Sequence, residues 1–119
     1  MLARNDNQMF DTPWLLDQWA RWARSNPDNI GYPTIEPFRR LLGSKGLSPA
    51  ISDDEAMRVD AALSRLLARD SEMGEAVTKY YLYGGNLSRL ARELKVDRRR
   101  AEVIVKAGTA WMDCALYAL

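Results

Sequence analysis

The chain has 119 residues, of which 47% are hydrophobic and 28% are charged, and its formal net charge is +1. This length corresponds to one domain with a sizeable core, and the composition favours an ordered helical protein over a disordered one. No apolar run approaches the roughly 20 residues of a membrane span, and the polar first residues lack the apolar stretch of a secretory signal. We therefore expect neither a membrane partner nor secretion.

One cysteine and no histidine limit the chemistry that this chain can perform. A zinc site or a Ser-His-Asp triad needs side chains that are missing, and Cys114, in an apolar run, is predicted to fill core space. The acidic run 53–55 could bind a divalent cation, but Ser52 and Glu55 have the spacing of a capping box, which is the simpler interpretation. The glycines match no phosphate-binding loop. We expect no enzyme, catalytic residue, metal, cofactor or small-molecule substrate.

The first predicted helix follows a polar arm of residues 1–11. It starts with Thr12 as the N-cap and Pro13 at the first helical position, and it ends near Ser25. A spacing of three or four residues predicts a buried stripe of Leu15, Trp19 and Trp22. The predicted solvent-facing residues are Gln18, Arg21 and Arg24.

Three tryptophans in this helix have two possible roles. They can form core, because no other side chain buries as much area, or they can form a patch that binds a protein partner. The core is the favoured interpretation for Trp19 and Trp22, and both interpretations stay open for Trp14.

The middle of the chain contains loops and three further predicted helices. Turn residues and two prolines predict a loop at 26–33, and Thr34 is predicted to cap a short helix at 35–42 that carries Arg39 and Arg40 near its end. Residues 44–51 resemble a linker. A helix is predicted from residue 53 to about residue 69, and another from about residue 72 to residue 83 behind the motif described next. The predicted inward residues of these two helices are Ala56, Val59, Ala62 or Leu63, Leu66 or Leu67, Met73, Ala76 or Val77, Tyr80 and Tyr81.

Residues 86–106 are predicted to form a helix-turn-helix. Gly84 and Gly85 can adopt the positive φ that ends a helix, and Asn86 can cap the next one, which runs to about Lys95. Its apolar stripe is Leu87, Leu90, Ala91 and Leu94. In the turn, Val96 is predicted to plug the space between the helices and Asp97 to cap the second helix. Lys95 departs from the common pattern, since many such motifs place glycine there.

The second helix is the predicted recognition helix. Its inward face is Ala101, Ile104 or Val105, Gly108 and Met112. Arg98, Arg99, Glu102, Val103 and Lys106 are left facing outward, where such a motif contacts base edges in the major groove. Arginine can bind guanine with two hydrogen bonds, and lysine can contact phosphate. The helix continues through Trp111, Leu116 and Leu119 and is predicted to cross back onto the first helix.

Charge is distributed unevenly along the chain. Residues 86–106 contain seven Lys or Arg against three acids, whereas residues 1–85 contain ten against twelve. This concentration of positive charge at the predicted motif favours DNA binding. The alternative is a helical bundle in which three consecutive arginines simply form a solvated face.

Five sequence runs, in order, resemble a known family. They are Leu15-Leu16-Asp17-Gln18-Trp19-Ala20-Arg21-Trp22, Gly31-Tyr32-Pro33, Ile51-Ser52-Asp53-Asp54-Glu55-Ala56 with Val59-Asp60, Tyr80-Tyr81-Leu82-Tyr83-Gly84 and Ala110-Trp111-Met112-Asp113. Over nearly the whole chain this pattern resembles the phage antitermination protein Q family. Residues 80–106 also look like the σ region 4 helix-turn-helix of bacterial σ factors. Some proteins called Q carry a zinc-binding cysteine cluster, and this chain, with Cys114 alone, departs from those.

The predicted helices together make an all-α protein, a single compact domain of five to six helices at 12–119. The resemblance implies that this protein regulates phage late genes in the bacterial cytoplasm, at the nucleoid. Such a protein binds double-stranded DNA near a late promoter, loads onto paused RNA polymerase, with or without a σ factor, and promotes readthrough of pauses and terminators. The implied DNA-binding residues are Asn86, Arg89, Arg98, Arg99, Arg100, Glu102 and Lys106. The candidate polymerase contacts are Trp14, Arg21, Arg39 and Arg40.

Two other functions are compatible with the same residues. A conventional repressor or activator would stay at its operator and dimerise, for which Trp111, Leu116 and Leu119 could form the face. A scaffold protein would carry the same basic helix without binding DNA.

Overall fold

The computed structural model describes residues 11–25 and 49–117. These residues form five helices and no strand: α1 (Thr12–Ser25), α2 (Asp53–Arg69), α3 (Ser71–Leu82), α4 (Leu87–Leu94) and α5 (Arg98–Tyr117). The prediction of an all-α domain is confirmed. The predicted loop at 26–33, the short helix at 35–42 with Arg39 and Arg40, and most of the predicted linker lie outside the described residues, as do residues 1–10, 118 and 119.

Helix α1 begins one residue earlier than its sequence predicted. Asp11, rather than Thr12, is the cap: its Oδ1 accepts a hydrogen bond from the backbone N–H of Trp14 at 2.7 Å. Thr12 is buried and donates its hydroxyl to Asp113 Oδ1 at 2.6 Å. The prediction of Thr12 as N-cap is therefore wrong, because an aspartate one residue earlier satisfies the same helix end and a tertiary contact uses the threonine.

Trp19 and Trp22 are core residues, as predicted. Each indole N–H finds an acceptor on α2: Trp19 donates to Asp60 at 3.3 Å and Trp22 to Asp53 at 3.0 Å. Burial raises the pKa of Asp60 above its ordinary value, and the hydrogen bond from Trp19 partly opposes that rise. These bonds allow two large amphipathic rings to be buried without leaving an indole N–H unsatisfied.

The predicted solvent-facing residues of α1 are less exposed than expected: Arg21 is half-buried, and Gln18 and Arg24 contact other parts of the chain. Gln18 is buried, and its Oε1 accepts a hydrogen bond from the N–H of Ala50 at 2.7 Å. Arg24 is half-buried and donates to the carbonyl oxygen of Leu82 at 3.2 Å. Burial lowers the pKa of Arg24, although the charge of Asp17 works in the opposite direction. The predictions for Gln18 and Arg24 were wrong because α2, α3 and α5 all pack against α1, so that only a narrow face of this helix is exposed to solvent.

Helix starts in the middle of the chain follow the sequence closely. Ser52 and Glu55 form the predicted capping box at the start of α2. Asp70 ends α2 and caps α3 by accepting a hydrogen bond from the N–H of Met73 at 3.1 Å. The inward residues predicted for α2 and α3 are buried or pack on the core, and of the alternatives Leu66 and Leu67 it is Leu66 that is buried.

The described residues bury two hydrophobic clusters. The larger joins α1, α2, α3 and the end of α5, and the smaller joins α3, α4 and the start of α5. Helix α3 contributes to both, through Val77 to the first and Ala76 to the second. Helix α3 therefore packs behind the α4–α5 pair, as predicted, and links it to the rest of the fold.

The last turns of α5 return to α1, also as predicted. Leu116 is buried in the larger cluster and Trp111 packs against it, so these residues belong to the core of the chain instead of forming a free face for dimerisation. Cys114 is exposed, and its prediction as a core residue was wrong. The apolar run misled because its buried positions are Met112 and Leu116, which puts Cys114 on the opposite side of the helix.

Candidate nucleic-acid interface

A tight connection leads from α3 to α4. Gly84 and Gly85 have φ of 71° and 85°, the left-handed region that favours glycine. Asn86 then caps α4, its Oδ1 accepting a hydrogen bond from the N–H of Arg89 at 3.0 Å. All three predicted roles are confirmed, and together they fix where α4 starts.

Helix α4 uses its apolar stripe to pack against α3 and α5. Leu90 and Ala91 are buried, and Leu87 and Leu94 pack half-buried against the same small cluster. The small side chain of Ala91 lies in the contact between α4 and its neighbours. The opposite face of α4 is left to charged residues, as predicted.

The turn between α4 and α5 has a left-handed residue at its start. Lys95 has φ 61° and ψ 42°, and it ends α4 with its backbone N–H bonded to the carbonyl oxygens of Ala91 and Arg92. This conformation costs a residue with a Cβ about 1–2 kcal/mol, which explains why glycine is common at this position of helix-turn-helix motifs. Val96 packs into the small cluster, and Asp97 caps α5 by accepting the N–H of Arg100 at 2.7 Å.

The first turns of α5 present the predicted exposed set. Arg98, Arg99, Glu102, Val103 and Lys106 are all exposed. The predicted inward set is buried: Ala101, Ile104, Val105, Gly108 and Met112. Lys106 Nζ lies 3.5 Å from Glu102, an exposed i,i+4 pair that leaves the lysine 74% accessible. The outer face of α5 is therefore basic and open to solvent.

Arg100 points in a different direction from its two neighbours. Its Nη2 lies 3.9 Å from Glu72 at the start of α3. Both side chains stay more than half exposed, so this ion pair is a weak one. The structure thus places Arg100 at the edge facing α3, whereas Arg98, Arg99 and Lys106 lie on the outward side.

Arg89 belongs to a charged cluster between α3 and α4. Its guanidinium lies over the ring of Tyr83, 4.2 Å from the ring centre, and its Nε is 3.8 Å from Glu93. Glu93 also lies 3.2 Å from Lys79 Nζ and accepts the Tyr83 hydroxyl at 2.6 Å. Burial alone would raise the pKa of Glu93, but the hydrogen bonds from Tyr83 and Lys79 and the charges of Lys79 and Arg89 outweigh it and lower the pKa.

Sequence reasoning missed Tyr83, Lys79 and Glu93 as neighbours of Arg89. The i,i+4 spacing of Arg89 and Glu93 was a usable signal for their pairing. No local pattern indicates that Tyr83, the residue that ends α3, lies under the guanidinium, because that contact depends on the angle between two helices.

Two of the four candidate polymerase contacts, Trp14 and Arg21, lie on α1. Trp14 is half-buried and packs against the larger cluster, and Arg21 pairs with Asp17 at 3.1 Å. Arg39 and Arg40 lie outside the described residues. The structure therefore describes only two of the four candidates, Trp14 and Arg21.

An open pocket of about 270 Å³ lies beside the exposed face of α5. Its rim includes Glu102 and Lys106, and its walls include Tyr80, Leu87 and Val105.

Within residues 11–25 and 49–117, no group of three or more Cys, Asp or Glu side chains is arranged to bind a metal ion. None of the helices in those ranges is long and apolar enough to cross a membrane.

The fold and this surface define an all-helical protein whose outward basic residues are carried by a short helix, a left-handed turn and a long helix. A family model described as phage antitermination protein Q matches residues 9–119, and the chain belongs to this family.

Curated relatives agree with the family match. The chain is 31% identical over 85 residues to the prophage antitermination protein Q homolog QuuD of Escherichia coli K12, a match that covers 70% of this chain and 67% of the relative. It is 29% identical over 87 residues to antitermination protein Q of Escherichia phage 933W, covering 71% and 60%. It is also 29% identical over 103 residues to a probable antitermination protein Q of Acyrthosiphon pisum secondary endosymbiont phage 1, covering 82% and 70%. The matches thus span only three fifths to about two thirds of the first two relatives, and no solved structure matches the chain.

Proposed function

We propose that this protein is a phage late-gene transcription antiterminator. In this proposal it binds a promoter-proximal DNA element, loads onto RNA polymerase paused near a late promoter, and promotes readthrough of pauses and terminators. Family membership supports the antitermination role. The observation that carries the DNA-binding step is the exposed basic face on the first turns of α5.

The α4–α5 pair acts in this proposal as a DNA-binding helix-turn-helix. Arg98, Arg99 and Lys106 are exposed on one side of α5 and contact the major groove, where arginine can read guanine. Asn86 and Arg89, at the start of α4, contact phosphates, which position the protein without reading sequence. The net charge of +4 on residues 86–106 attracts DNA to this side of the molecule.

Arg100 and Glu102 have supporting roles in the same interface. Arg100 lies beside Glu72 and contributes at the edge of the surface. Glu102 lies beside Lys106 and can accept a hydrogen bond from a cytosine amino group, so it adds selectivity more than affinity.

The polymerase is contacted through a separate part of the chain, for which Trp14, Arg21, Arg39 and Arg40 are the candidates. Arginine and tryptophan are frequent anchors in protein interfaces, and Arg21 has a partly exposed guanidinium on α1. In this proposal the protein needs no catalytic residue, because its binding to the moving polymerase is what changes termination.

The test is transcription in vitro with host RNA polymerase on a template that carries the phage late promoter and a downstream intrinsic terminator. We expect readthrough with this protein, dependent on the promoter-proximal DNA, and loss of readthrough with Arg98→Ala plus Arg99→Ala. A matched control is Arg65→Ala plus Arg69→Ala, which removes the same charge from two exposed positions of α2. A change in initiation without readthrough would instead identify a conventional regulator that stays at its operator.

A further inference from the structure

Beside the α4–α5 pair, the guanidinium of Arg89 stacks on the ring of Tyr83. The guanidinium lies 4.2 Å from the centre of the tyrosine ring. The two residues are on different elements, since Tyr83 ends α3 and Arg89 lies in the first turns of α4. The stack therefore fixes Arg89 relative to α3 as well as to its own helix.

Glu93 holds the tyrosine ring in place beneath this arginine. One carboxylate oxygen accepts the Tyr83 hydroxyl at 2.6 Å and lies 3.2 Å from Lys79 Nζ, and the other lies 3.8 Å from Arg89 Nε. Lys79 itself is only 17% exposed, so the cluster is anchored on α3 at its inner side. The ring is thus held at its hydroxyl end while its face carries the guanidinium.

Such a platform has a direct consequence for binding an anion. A free arginine side chain samples many rotamers, and most of that freedom is lost when the guanidinium contacts a phosphate. An arginine already stacked on a fixed aromatic ring loses less, and stacking uses the face of the guanidinium while its N–H groups point outward in its plane. The planar edge of the guanidinium is what a phosphate binds.

We infer that Tyr83 is a positioning residue of the DNA interface, holding Arg89 in the orientation in which it contacts a DNA phosphate. This inference rests on the proposed function, because it assigns Tyr83 a role in the same DNA binding. Tyr83 itself touches no DNA in this arrangement and acts only through Arg89. Glu93 and Lys79 orient the tyrosine from behind.

The test is a double-mutant cycle on the full chain, with binding to a fluorescently labelled DNA duplex of arbitrary sequence measured over a series of KCl concentrations. The slope of log K against log [salt] is negative, and Arg89→Ala is expected to make it less steep by about 0.9, the value for one phosphate contact. Tyr83→Leu is expected to weaken binding about 2- to 5-fold, the range for loss of an exposed cation–aromatic contact. In the Arg89→Ala background, Tyr83→Leu is expected to have no further effect on affinity.

Three control variants separate positioning from simple loss of structure. Tyr83→Phe keeps the ring and is expected to restore most of the affinity that Tyr83→Leu loses. Tyr117→Leu removes an exposed tyrosine at the far end of α5 and is expected to leave binding unchanged. If Tyr83→Leu is too unstable, Tyr83→Met replaces it in the cycle, because the flexible methionine side chain also lacks the ring and adapts better to the gap.

The outcomes distinguish this inference from the proposed function. Equal losses from Tyr83→Leu with and without Arg89 would show that the tyrosine acts on the fold, and the inference would be wrong while DNA binding stands. An unchanged slope in Arg89→Ala would also overturn it, since Arg89 would then contact no phosphate. If the unsubstituted protein bound no duplex at any salt concentration, the proposed function would fail and this inference with it.

Discussion

Thr12 and Asp113 are hydrogen-bonded at 2.6 Å across 101 residues of chain, joining the first turn of α1 to the last turns of α5. The threonine is buried, and its carboxylate acceptor lies at the exposed edge of the contact. The bond fixes how the far end of α5 docks on α1.

Thr12→Val is expected to lower the free energy of unfolding by about 1.5–3 kcal/mol, the range for a hydrogen bond to a charged group. The substitution keeps the volume of the side chain and removes only the hydroxyl. Urea unfolding followed by circular dichroism measures the change. Asp113→Ala is expected to lose less in the Thr12→Val background than in the unsubstituted protein, and full additivity would contradict the coupling.

Lys95→Gly is expected to stabilise the protein by about 0.5–1 kcal/mol. Glycine adopts the left-handed backbone conformation without the strain of about 1–2 kcal/mol that a residue with a Cβ has there. Glycine also increases the conformational entropy of the unfolded chain, which offsets part of this stabilisation. Thermal unfolding measures the difference. The matched control is Arg92→Gly, an exposed position inside α4, which is expected to destabilise by about 1 kcal/mol. A loss of stability in Lys95→Gly would show that this turn does not have the left-handed conformation in solution.

Gly108→Ala is expected to destabilise the contact between α5 and α3 by about 1–3 kcal/mol through overpacking. A Cβ at this position would lie 2.2 Å from Val77 Cγ2 and 2.9 Å from Met73 Cγ, closer than real contacts allow. The free energy of unfolding in urea is the measurement. In the Val77→Ala background, where one of the clashing groups is absent, Gly108→Ala is expected to be better tolerated. Equal losses in both backgrounds would argue against this clash.

Glu93 is expected to make stability depend on pH in the acidic range. Its folded-state pKa is lowered from 4.5, so its stabilising contribution is complete above the unfolded pKa and is lost as the pH falls through the folded value. The difference in Tm between the unsubstituted protein and Glu93→Gln is therefore expected to be positive near neutral pH and to shrink as the pH falls below 4.5. Glu102→Gln is the control, because its exposed pair with Lys106 contributes little to stability. A difference that grows on acidification would contradict the assignment.

Arg98 and Arg99 are expected to differ from Arg89 in their effect on DNA binding. If either reads a base, its replacement by alanine weakens binding to the specific element by about 1–3 kcal/mol and leaves binding to unrelated duplexes much less affected. Arg89→Ala weakens binding to all sequences alike. Fluorescence anisotropy on the late-promoter element and on a shuffled duplex separates the two cases. Equal losses on both duplexes would identify Arg98 and Arg99 as phosphate contacts.

Local sequence signals predicted the parts of this fold that local chemistry controls. Ser52, Asn86 and Asp97 cap the helices that they were expected to cap, since each bond spans only three residues. The inward face of α5 was also predicted correctly from its spacing. The errors at Gln18 and Arg24 have a shared cause: a helix periodicity shows that two faces differ, but the number of neighbours that pack on a helix decides how wide the buried face is. The error at Cys114 has another cause, because an apolar run does not show which of its positions face the core.

The sequence by itself determined the helical class, the helix boundaries near the caps, and the concentration of positive charge between residues 86 and 106, because capping, periodicity and charge are properties of neighbouring residues. Only the tertiary structure decided that Arg89 stacks on Tyr83, that Arg100 turns towards Glu72, and that Thr12 bonds to Asp113. Each of these contacts joins different helices and depends on the angle and separation at which the two buried clusters hold them. Packing, therefore, selects which of the many basic residues on this chain form one outward surface.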